Sequence, residues 1–84
     1  IDSAPMYSRT ILEAAMRSRA VSVILAHNHP HGLAVPSNAD LAATESVCHA
    51  LAAAKIRLLD HFIFAGQDYI SLRDSGFIRV EGGV

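Results

Sequence analysis

The stretch AHNHPHGLAVPSNAD, residues 26–40, contains three of the chain's five histidines. His27 and His29 stand one residue apart, directly after an apolar run, and Ser37 and Asp40 follow downstream. Residues i and i+2 of an extended strand project from one face, so imidazoles spaced this way can aim at a single point. Imidazole is a common zinc ligand, and a catalytic zinc site takes three protein ligands and leaves the fourth position to water. Asp40 can supply the third ligand if the intervening loop folds back. Ser37, about one helical turn earlier, can donate a hydrogen bond to a developing oxyanion. Each half also has a plainer reading. Ser37-x-x-Asp40 is a capping box with Asp in place of Glu or Gln. The chain's other such run, Ser71 to Asp74, falls at a strand end. A His-x-His in a loop is ordinarily surface or hydrogen-bonded histidine. The adjacent letters His27-Asn28-His29 are not the HNH nuclease pattern, whose residues are spread over a ββα unit.

The elements that must position these side chains are legible from periodicity. Asp2 or Ser3 can cap a first helix, with Pro5 at an early helical position. Tyr7, Ile11, Ala14, Ala15 and Ser18 then recur at helical spacing to about Arg19. Residues 21–26 are short, β-branched and mostly apolar, and predict a buried strand. Residues 27–36, with two prolines and Gly32, predict a loop. A second helix is expected from Ser37 to about Lys55, with Leu41, Thr44, Val47, Cys48, Leu51 and Ala52 on its apolar face. Residues 58–65 predict a second strand, interrupted by Asp60-His61, and residues 69–72 a shorter third. Strand, helix and strand from 21 to 65 form a βαβ unit, which favours parallel pairing. Three strands make a narrow sheet for an α/β domain, so an edge is expected to be missing.

Composition bounds the function classes. The chain has 84 residues, 51% hydrophobic, with a formal net charge of −1; that suits one small domain with a core. Without clustered Lys and Arg, direct nucleic-acid binding by this segment is not expected. No apolar stretch approaches the ~20 residues of a membrane span. No signal-peptide pattern is present, and the single cysteine, Cys48, cannot form an internal disulfide, so a cytoplasmic setting is expected.

Taken together, His27-x-His29, seven residues, Ser37, two residues and Asp40 resemble the JAMM (MPN) zinc metallopeptidase motif, H-x-H-x(7)-S-x(2)-D. The words HNHPHG, PS, LLDHFIF and YISL, with Thr44, narrow the resemblance to the bacterial RadC family, labelled DNA repair proteins, over residues 2 to 78. The resemblance implies a three-layer α/β/α sandwich similar to cytidine deaminase. It implies that His27, His29 and Asp40 bind Zn2+, and that Ser37 is a catalytic residue stabilising the tetrahedral intermediate. The implied activity is zinc-dependent hydrolysis of peptide or isopeptide bonds in a peptide or protein substrate. Such enzymes take a glutamate on an early strand, before the first helix, as general base. Glu13, the only glutamate upstream of the motif, lies within the predicted helix and is not assigned. On this reading residues 1–84 are a single partial domain lacking its N-terminal strands, inert alone, with an exposed sheet edge that favours a homodimer. The rival reading is a non-catalytic DNA-repair or partner-binding module with a structural or vestigial metal site.

Smaller expectations attach to other residues. His31 stands where RadC proteins usually have Ser and is read as a solvated loop residue, with a second metal ligand as the alternative. Asp60-His61 is read as a polar pair at an exposed strand edge or bend, with the orientation of a ligand histidine as the alternative. Phe62, Phe64, Tyr69 and Phe77 are expected in the core.

Overall fold

A computed structural model describes residues 4–30 and 32–78, with the side chains of residues 4 and 5 left out. The caps expected at Asp2 and Ser3, the extra imidazole His31 and the tail residues 81–84 lie outside the described residues. The elements are α1 (Ala4–Arg17), β1 (Ser22–Asn28), α2 (Asn38–Ala53), β2 (Arg57–Ala65) and β3 (Asp68–Ser71), in the expected order. The sheet order is β1-β2-β3. β1 and β2 are parallel and β2 and β3 antiparallel, which makes a small α/β fold with a mixed sheet.

Local chemistry explains where both helices stop. Ala20 N–H reaches back to the Ala15 carbonyl and Arg19 N–H to Met16; Ile56 N–H reaches Leu51 and Lys55 N–H reaches Ala52. These paired bonds form a Schellman end on each helix, and they require a left-handed residue in the turn. Arg19 (φ 54°) and Lys55 (φ 61°) fill that place instead of glycine. Each puts a cation beside the negative end of a helix dipole, which offsets part of the steric cost.

α2 packs on one face of the sheet, and α1 packs against α2. Val47, Leu51, Ile63 and Leu72 are fully buried, joined by Ala15, Leu25 and Leu58. Ser8 and Ser46 meet hydroxyl to hydroxyl at 2.6 Å where α1 crosses α2. The opposite face is open among the described residues, which therefore form two layers. Ile24 is 59% exposed, so β1 is covered on one face and not on both. The aromatic residues expected in the core are also displaced. Phe62, Phe64 and Tyr69 cluster on the open face with ring centroids 6.0–6.3 Å apart, and Phe77 is exposed. Strand alternation explains this, because Ile63 and Ala65 take the core-facing positions between them.

One irregularity matters for the site. β1 and β2 pair Val23 with Leu58 and Ile24 with Asp60, so Leu59 is an extra residue in β2. Parallel bulges are rare. Without this one, strict alternation from Leu58 would turn His61 away from the helices. With it, Leu58, His61 and Ile63 share the face of Val23, Leu25 and His27. No described helix is long and apolar enough to cross a membrane.

Candidate metal centre

β1 runs two residues further than residues 21–26, so His27 lies inside the strand. His29 N–H donates to the Phe64 carbonyl at 2.7 Å, which carries the pairing one residue beyond β1. Both imidazoles therefore stand on paired backbone, not on the loop expected from residue 27, and the i, i+2 rule sends them the same way. Ser37 is the N-cap of α2. Its Oγ accepts from Asp40 N–H at 3.0 Å, and Asp40 Oδ2 accepts from Ser37 N–H at 2.8 Å. The capping box is thus present, and it orients the Asp40 carboxylate toward the strand.

His27 Nε2 lies 3.3 Å from Asp40 Oδ1, and His29 Nε2 lies 3.0 Å from Asp40 Oδ2. One ligand atom from each of the three residues falls within 4.8 Å of the other two. Zinc bonds of ~2.0–2.1 Å in a tetrahedron place neighbouring ligand atoms about 3.3 Å apart. The donor set, two imidazoles and a carboxylate, suits that ion, and the three groups already converge closely enough to hold one. The side chains are 33%, 23% and 15% exposed for His27, His29 and Asp40, so the point they share opens to solvent.

Burial works to raise the Asp40 pKa. The Ser37 N–H and hydroxyl contacts, the His27 charge and the His29 hydrogen bond outweigh it, and the net shift is downward. A depressed folded pKa adds stability that is complete above the unfolded value of ~3.9 and is lost as pH falls through the folded one. Acid unfolding of metal-free protein should therefore be less steep below about pH 4 in Asp40→Asn than in the parent chain. Equilibrium denaturation across pH 2–6 measures it (a range set about the carboxylate pKa), and identical profiles would contradict it. Tyr7, on α1, has its pKa raised by burial and by the Asp40 charge, so its phenol stays protonated near the site.

Asp60-His61 is not an exposed polar pair. Both residues are buried, on the middle strand of the described sheet, and they divide their roles. Asp60 accepts from His61 N–H, Arg73 N–H and the Ser71 hydroxyl at 2.7, 3.0 and 2.6 Å, which ties down the turn after β3. His61 faces His27. Its Nε2 is 3.0 Å from His27 Nδ1, and its Nδ1 is 2.7 Å from Thr44 Oγ1. Burial holds the His61 pKa down, and the neighbouring His27 adds to the effect. The signal for His61 was a polar pair within an apolar strand. Its facing depends on the Leu59 bulge, which no spacing rule reveals. Of the glutamates, Glu13 and Glu45 lie exposed on helices and Glu81 lies outside the described residues.

The family described as RadC-like JAB domain matches residues 1–77. The chain is 42% identical over 78 residues to a UPF0758 protein of Tolumonas auensis, covering 93% of this chain and 35% of the relative. It is 45% identical to a UPF0758 protein of Idiomarina loihiensis and 42% identical to one of Vibrio cholerae, with the same coverage of both chains. The chain spans about a third of the length of these curated relatives.

Proposed function

This chain belongs to the RadC-like JAB domain family, and from that premise we propose that it carries the zinc-binding half of an amide hydrolase acting on peptide or isopeptide bonds. The observation that supports this reading is the convergence of His27, His29 and Asp40, with one ligand atom from each within 4.8 Å of the others. Zinc, when bound, supplies a Lewis acid that lowers the pKa of water toward ~7 and polarises a carbonyl. The chain's own residues do the rest. His27 and His29 offer imidazole nitrogens from one face of paired backbone, and Asp40 offers a carboxylate. Ser37 Oγ uses one lone pair on Asp40 N–H. Its single hydroxyl proton, which favours the Asp40 carboxylate in the metal-free chain, would turn to an oxyanion once the carboxylate holds a metal.

The test is zinc dependence of amide hydrolysis in a full-length relative, such as the Vibrio cholerae protein. The zinc-loaded, chelated and reloaded protein is assayed on a panel of peptides and isopeptides. Hydrolysis should disappear with the chelator and return with zinc. No hydrolysis of any substrate by the loaded protein would favour a non-catalytic, partner-binding role.

A further inference from the structure

We infer that His61 and Thr44 are positioning residues that set the tautomer of His27, holding its Nε2 bare for a metal. The inference rests on the reading of His27 as a zinc ligand. It follows from counting protons along a chain of hydrogen bonds.

Thr44 Oγ1 lies 2.7 Å from the Asp40 backbone carbonyl and 2.7 Å from His61 Nδ1. A hydroxyl has one proton, and a carbonyl can only accept. The hydroxyl must therefore donate to Asp40 and accept from His61, since the reverse would press two lone pairs together. His61 Nδ1 then carries the proton of the buried neutral ring, and His61 Nε2 is an acceptor. His27 Nδ1, 3.0 Å away, must donate to it. His27 Nε2 is left without a proton, and it is the atom that faces Asp40 at 3.3 Å.

The Asp40 carboxylate makes this outcome non-trivial. Taken alone, it would draw the opposite tautomer of His27, with Nε2–H pointing at Oδ1. That tautomer blocks the metal. The chain from Thr44 through His61 opposes it. Because Thr44 is anchored on the backbone of Asp40, the same chain also ties two of the three ligands to one buried frame. The remaining ligand, His29, is held by its own backbone bond to Phe64. Partners of this kind orient a ligand imidazole, and their loss typically weakens metal binding by about 10–100-fold.

The experiment uses the whole chain and two readouts. The first is the tautomer of His27 in metal-free protein, read from two-bond nitrogen–proton correlations of the imidazole at about pH 8, above the ordinary histidine range. The second is the zinc Kd by competition with a chromogenic chelator. The parent chain should show His27 as Nδ1–H. Thr44→Val, nearly the same in volume, frees His61 to carry its proton on Nε2 and donate to His27. It should move His27 to Nε2–H and weaken zinc by about 10–100-fold. His61→Phe should weaken zinc to the same degree, and His61→Gln, whose amide oxygen can accept from His27 Nδ1–H, should restore most of it. A merely structural role would not produce the tautomer change or the rescue by glutamine. An Nε2–H tautomer in the parent chain, or unchanged tautomer and Kd in Thr44→Val, overturns the inference even if His61→Phe fails to fold. A parent chain that binds no zinc yet shows Nδ1–H would refute the metal reading and leave the hydrogen-bond chain standing.

Discussion

His27→Ala and Asp40→Asn should each remove zinc from the protein, taking bound metal from one equivalent per chain to almost none. Ligand atoms of the three residues lie within 4.8 Å of one another, and loss of any one residue leaves a two-ligand site. The effect should exceed the roughly 10–100-fold carried by partners outside the ligand set. The choice of Asn separates metal binding from folding. Its side-chain oxygen can still accept from Ser37 N–H, so the capping box loses charge more than geometry. Ser37→Ala provides the converse control. It removes the acceptor for Asp40 N–H and should cost about 0.5–2 kcal/mol of stability, while all three ligands remain. Thermal unfolding gives an independent readout. Zinc at 100 times its Kd stabilises the folded state by about 2.7 kcal/mol. For a domain of this size that corresponds to roughly 10–20 °C in Tm. The parent chain and Ser37→Ala should show the rise, and His27→Ala and Asp40→Asn should not. One equivalent of zinc retained in both ligand variants would contradict the assignment.

The 84-residue chain, loaded with zinc and assayed by itself, should be inert toward peptide and isopeptide bonds. A metal can acidify water, but a group must also take the proton and pass it to the leaving amine, and such help is worth about 10²–10⁴-fold. Among the described residues no glutamate lies on a strand, since Glu13 and Glu45 are on exposed helix positions. Asp60 is bound to Ser71, Arg73 and its own neighbour. Asp68 accepts from Ala34 N–H. A full-length relative, about three times as long as this chain's share of it, is the comparison. It should exceed the chain by at least that factor on any substrate it cleaves. Equal rates from the two proteins would show that a general base lies within these residues and has been misplaced.

Much of this protein's architecture is legible in its sequence, for identifiable reasons. Strand and helix periods differ, so the five elements and their order follow from where apolar residues recur. His-x-His on a strand is a same-face pair whatever the strand packs against. Ser37-x-x-Asp40 is a local motif that closes within one helical turn, so the cap needed no tertiary information. The site's remaining features depend on neighbours far apart in sequence. The end of β1 moved from residue 26 to Asn28 because β2 offers backbone partners that far, and a strand's length is set by its pair. Phe62, Phe64 and Tyr69 lie on the open face because alternation distributes residues to two faces but does not say which face the helices cover. His61 depends on tertiary structure most of all. Its burial, its contact with His27 and its bond to Thr44 require one inserted residue in β2, and an insertion reverses a strand's facing without leaving a mark in its composition. Spacing determined which residues could bind a metal, whereas the fold decided which buried groups hold them in place.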